Sequence, residues 1–170
     1  MPDQPSPLPA APKRLPVLLR RAWYGLNQAF RQRVAHLSVT PDQFSILRWL
    51  SEGDPQGLTQ RRLTDLMASD PNTITSTLAR MEKAGLVARA PHEKDKRANR
   101  VKPTAAGRRA FSKAREIALD LQENILQVIP NSRRERFLEE LEVIAAACAG
   151  VAEKSAAKAR RQKAKKPLTE

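Results

Sequence analysis

Two groups of residues carry the chemistry of this 170-residue sequence. Both suit reversible hydrogen bonding to a charged polymer, not the making or breaking of bonds. The first is Asn72, Thr73, Ser76, Arg80 and Lys83. If Ile74, Leu78 and Met81 centre the buried side of a helix, a 100° step per residue carries Asn72, Ser76, Ala79 and Lys83 to the opposite side. Thr73 and Arg80 fall beside them. Short amides and hydroxyls reach base edges or phosphates, and arginine bonds guanine bidentately. The second group is a knot of six charged residues between Glu93 and Arg100, among them Asp95, Lys96 and Arg97. An arginine at such a tip can enter a minor groove, whose negative potential attracts it. Arg97 suits that insertion, and Asp95, two residues earlier, is spaced to orient a guanidinium. Each group alone also fits a plain solvated surface, so the elements that carry them decide.

Catalysis finds no comparable support. His36 and His92 fall in unrelated elements, and neither a glycine-rich phosphate loop nor a paired acid and base is visible. One cysteine, Cys148, and two distant histidines cannot supply four zinc ligands. Cys148 also excludes an intramolecular disulfide and fits a reducing cytoplasm; on an apolar stripe beside alanines it reads as a buried, inert thiol. No catalytic residue, cofactor or metal is expected. The net charge of +13 points instead to a polyanionic partner. No run approaches the roughly 18 apolar residues of a membrane span, and the proline-rich start lacks the apolar core of a signal peptide.

The elements follow from spacing. Apolar residues from Leu15 to Leu37 step by three and four along one helical stripe. Thr40, Pro41 and Gln43 make a cap, a first-turn proline and a capping-box partner. The helix they open buries Phe44, Leu47 and Leu50 and stops at "EGDPQG". A short helix after Thr59 buries Leu63, Leu66 and Met67. A third opens at "SDP", where Ser69 or Asp70 caps and Pro71 enters first. Tight turns between the three read as helix-turn-helix. Gly85 ends the third helix, Leu86 to Ala88 give a strand, and a return strand forms around Val101. A hairpin directly after a helix-turn-helix makes a winged helix with the charged knot at its tip.

These residues carry a family resemblance. "GLV" at 85–87, Arg89, Asp95-Lys96-Arg97, Val101, Thr104 and Gly107 resemble the MarR family of bacterial winged-helix transcription regulators. That family has a D-x-R motif in the wing and a hydrophobic-x-Leu-Thr-x-x-Gly entry to the next helix. "LTQRRLTDLMASDPNTITSTLARMEKAGLV" is similar to its two DNA-binding helices throughout. Pro103 stands where the family usually has leucine and removes a strand donor.

Further along, Phe111, Ala114, Ala118, Leu121, Ile125 and Val128 form a stripe with the spacing of a helix packed along another helix. Pro130 ends that helix. Ser132 and Glu135 form a capping box for a last one, buried through Phe137, Leu141, Ile144 and Cys148. The stripe fits burial within one chain, but the resemblance implies a two-fold dimer built from the terminal helices. The expected fold is therefore mainly α with a small β-wing. A loose arm (1–16) precedes a dimerisation region (17–39 and 105–152), which flanks the winged helix (40–104) and is followed by a basic tail (153–170). The tail carries +5, leaving +8 on residues 1–152; it fits a solvated helix end or non-specific phosphate contact.

The resemblance implies a cytoplasmic homodimer, a repressor, that binds double-stranded DNA at a near-palindrome. Asn72, Thr73, Ser76, Arg80, Lys83, Lys96, Arg97 and Arg100 would contact the DNA. It also implies a small aromatic or phenolic effector, for which Trp23, Phe30, Phe44 and Trp49 could line a pocket, although such apolar positions equally form core. A second reading remains, an architectural or protein-interaction module that binds DNA without sequence choice through its basic surface.

Overall fold

The computed structural model describes residues 13–91 and 99–165. The wing-tip residues His92, Asp95, Lys96 and Arg97 lie outside them. The chain forms two compact units, Met1–Gln122 and Glu123–Glu170.

In the first unit, α1 spans Leu15–Arg33, with Pro16 in its opening turn. The stripe expected to run to Leu37 breaks here. Val34 turns out of the helix, a single 3-10 turn covers Ala35–Leu37, and Ser38 adopts φ 53°. This bend lets Val34 and Val39 both enter the core. The other end of α1 is less covered, for Leu15, Leu26 and Trp23 remain exposed, Trp23 at 58%.

Thr40 caps α2 (Pro41–Glu52) through the complete capping box with Gln43. Pro41, Phe44, Ile46, Leu47 and Leu50 are its buried residues. The rings of Phe30 and Phe44 lie 4.8 Å apart, and Phe111 stacks on Phe44 at 5.8 Å, distances favourable for aromatic pairs. Two residues, Leu58–Thr59, form β1 before α3 (Gln60–Leu66), whose Leu63 is fully buried. Recognition-type helix α4 covers Pro71–Lys83; strands β2 (Val87–Pro91) and β3 (Asn99–Pro103) follow. The sheet order is β1-β3-β2, all antiparallel, so β3 is a central strand and not one half of an isolated hairpin. Pro103 occupies its last position, where its missing N–H interrupts no inner pair.

Thr104 fastens the next helix to this frame. Its hydroxyl donates to the Gly85 carbonyl at 2.6 Å and accepts from Gly107 N–H at 3.0 Å, capping α5 (Ala105–Leu126). A Cβ at Gly107 would stand 2.0 Å from the Leu86 carbonyl oxygen, so only glycine permits this approach. Phe111, Ala114 and Leu121 are buried inside the chain's own core, Leu121 at 4% exposure. Of the two alternatives open for this stripe, burial within one chain holds at these three positions. Its periodicity matches α1 and α2 of the same chain, with Arg33 and Asp120 joined by an ion pair and Arg115 lying 3.8 Å from Glu52. Only the end of the stripe stays open, with Val128 84% exposed.

In the second unit, Arg134 closes the turn between helices by donating to the Ile129 carbonyl at 3.0 Å and pairing with Glu123 at 2.6 Å. Helix α6 runs Asn131–Lys165. Ser132 therefore sits inside the first turn instead of capping it, because the chain enters helical geometry directly after Pro130. Within the single chain, Phe137, Leu138, Val143 and Val151 of α6 are exposed, as is Cys148, while Leu141 and Ile144 are half-buried, so the packing expected for this helix is not supplied by its own chain.

Candidate nucleic-acid interface

The interface is built on α4. Asp70, not Ser69, caps it: the carboxylate accepts from Asn72 N–H at 2.8 Å and Thr73 N–H at 3.1 Å. A cap contributes about 1 kcal/mol, whereas burying a single large apolar side chain contributes about 1.5–3 kcal/mol. Packing of Ile74, Leu78 and Met81, all essentially inaccessible, thus decides how the helix is rotated. The opposite side then presents Asn72, Thr73, Ser76, Ala79, Arg80 and Lys83 to solvent.

Several of these groups are already oriented. Ser76 donates to the Thr73 carbonyl at 3.0 Å, and Arg80 donates through Nη2 to the buried Thr77 hydroxyl at 3.1 Å. Two polar residues, half-buried Gln60 and exposed Thr75, are not singled out by the sequence. Gln60, the first residue of α3, donates its amide N–H to Thr75 Oγ1 at 2.7 Å, and Thr75 donates to the Pro71 carbonyl at 2.7 Å. Thr75 lies 100° from Ile74, on the flank of the helix. The available signal was a glutamine just after the Thr59 cap, level with that flank.

Beside α4 stands the wing. Arg89 on β2 pairs with Glu82 of α4 at 3.3 Å. Arg100 departs from its expected place among the DNA-facing cations. Its Nη1 donates to Asp54 at 2.8 Å and to the Gly57 carbonyl at 2.7 Å, so it ties β3 to the loop between α2 and β1. Lys102 repeats the tie through Gln56 at 3.1 Å. Gly57 has φ 87°, and a Cβ there would meet the Val101 carbonyl oxygen at 2.5 Å. The hydrogen bond from Arg100, and then that from the Gln56 N–H, hold the Asp54 carboxyl below its usual 3.8. Asp95, Lys96 and Arg97 lie outside the described residues.

The four aromatic residues proposed for a pocket do not converge. Phe30 and Phe44 are core, whereas Trp23 and Trp49 are exposed. Above Phe44, at 5.2 Å from the ring centre, lies the Arg48 guanidinium, whose buried Nε has no hydrogen-bond partner among the described residues. No described helix is long and apolar enough to cross a membrane.

Known proteins share this arrangement. A family model described as the MarR family matches residues 37–98. Among solved structures, the Rhodococcus jostii repressor CouR, bound to a 23-mer DNA duplex, is 25% identical with a TM-score of 0.71. That match covers 78% of this chain and 93% of CouR. The M. tuberculosis regulator MOSR, in complex with DNA, is 28% identical with a TM-score of 0.65, covering 80% of this chain and 98% of its own. Transcriptional regulator HosA of Escherichia coli O111:H- is 30% identical over 127 residues, or 72% of this chain and 93% of HosA. With identity at that level reaching across almost all of HosA, the chain belongs to the MarR family of transcriptional regulators.

Proposed function

We propose that the chain is a cytoplasmic, non-enzymatic repressor that binds a near-palindromic duplex as a homodimer. Helix α4 enters the major groove and the wing tip lies on the adjacent minor groove. The observation that carries this reading is the polar, pre-oriented outer face of α4 set beside a braced wing. Asn72, Thr73, Ser76 and Arg80 are assigned to the bases; Lys83, Lys96 and Arg97 are assigned to phosphates and the minor groove, and Asp95 to orienting the tip. Arg100 supports the wing from its base. The dimer is supported by the apolar residues left exposed on α1 and on α6, among them Trp23, Phe137 and Val143. DNA complexes of CouR and MOSR support the choice of duplex DNA.

In vitro selection by the full chain tests the proposal. The expected consensus has a dyad with half-sites about 10 bp apart, so that both recognition helices meet one side of the duplex. A consensus without a dyad rejects the dimeric arrangement, and no enrichment at all favours the sequence-neutral module. The proposal extends to a small aromatic effector bearing an acidic group, because Arg48 combines a buried N–H, unpartnered among the described residues, with an aromatic neighbour. The same effector should quench Trp23 or Trp49 fluorescence and release the selected duplex. Quenching without release would separate binding from regulation and reject an inducer role.

A further inference from the structure

Helix α6 changes character along its length. From Asn131 to Ala152 it carries three arginines against four glutamates, together with all of its large apolar residues. From Glu153 to Lys165 the only acid is Glu153, against six cations, and alanine is the only apolar residue type. The backbone nevertheless remains helical to Lys165. Positions 154, 158, 161 and 165 are spaced by four, three and four, so in a continuous helix these four cationic positions fall within a narrow arc. At about 1.5 Å per residue the row is about 16 Å long.

Two ordinary explanations fail for this row. Cations favour a helix C-terminus, but that effect is confined to about the last turn, and Lys154, Lys158 and Arg161 precede it. Solubility does not need like charges at i,i+4, which oppose each other and weaken an isolated helix. A partner that supplies regularly spaced negative charge removes this repulsion. Lipid surfaces fit poorly, since a helix lying on a membrane needs an apolar face to bury and this segment has none. Duplex DNA fits well, with a charge about every 3.4 Å along each strand facing cations separated by roughly 4.5–6 Å.

We propose that residues 153–165 of α6 are a second DNA-contacting element that grips the phosphate backbone without regard to sequence. This rests on the reading of the chain as a DNA-binding regulator, yet it is tested separately. The full chain and the variant Lys154→Gln/Lys158→Gln/Arg161→Gln/Lys165→Gln are titrated by fluorescence anisotropy at several salt concentrations. The probes are a selected duplex and a 30-bp duplex of scrambled sequence. The variant should bind both duplexes at least tenfold more weakly near physiological salt. Its slope of log affinity against log salt should fall by about 2–4, at ~0.9 per lost contact.

Arg160→Gln/Lys163→Gln, which removes two cations off the row, should lower the slope by less. Deletion of 153–170 should lower the slope at least as far as the quadruple variant, and circular dichroism identifies any loss of the rest of the fold. An unchanged slope overturns the proposal, as does a loss confined to the selected duplex. A variant that keeps its DNA affinity but loses binding to phosphatidylserine vesicles or single-stranded RNA also overturns it and reassigns the partner. If the unmodified chain does not distinguish the two duplexes, sequence-specific regulation fails while the slope on scrambled DNA still reports on the row.

Discussion

Ala68 shows what a single residue costs this fold. It sits in the turn between α3 and α4 with φ 45°, a region that penalises any Cβ. Ala68→Gly should therefore stabilise the chain by about 1 kcal/mol, read as a higher urea midpoint with an unchanged slope; a lower midpoint would show that the methyl group is needed for packing. Arg100 is the opposite case, a residue whose worth lies in partners far along the chain. Asp54 titrates below 3.8 when folded, so its clamp is fully present above the unfolded carboxylate range and is lost as pH falls through the lower folded value. Arg100→Met should return the Asp54 value toward 3.8, followed by carboxyl NMR, and should weaken DNA binding without removing any direct contact assigned here. If Asp54 does not move, the Arg100 bond is not what holds its carboxylate. None of this was legible beforehand. Arg100 stood in a run of charges, and nothing in local spacing ties it to an aspartate 46 positions earlier.

Elements were read most easily where one helix settles its own terms. The Thr40 capping box, the entry of Pro71 and the buried side of α4 all follow from spacings of three and four, and all are present. Strand β1 escaped because two residues carry no period, and its existence depends on pairing with β3 some forty positions later. The α5 stripe was legible as a stripe but not as to its partner, since a helix of the same chain and one of a second chain demand the same periodicity. Leu121→Arg should consequently unfold the first unit, with loss of the cooperative thermal transition, instead of yielding a folded monomer. A folded, monomeric Leu121→Arg protein would restore the dimer reading of that position. In the wing, Arg97→Ala should lower affinity for the selected duplex by about tenfold, within the ~1–3 kcal/mol expected of an arginine contact, and leave the melting temperature unchanged. A fall in melting temperature would make Arg97 structural.

For the whole molecule, the surplus of exposed apolar surface matters more than any single contact. A chain with Val128 and Val143 bare, at 84% and 69% exposure, is incomplete on the dimer reading. Val143→Arg should shift sedimentation from dimer to monomer while helicity is retained; a variant that remains dimeric would move the interface away from this part of α6. The braced wing has a mechanical consequence. Arg89 joins β2 to α4, while Arg100 and Lys102 join β3 to the loop that leads out of α2. Reader helix and wing are thus tied to one frame, so a tilt imposed on α2 should be passed to both. Release from DNA should then be a concerted loss of two grips, with no stage at which the wing alone has let go.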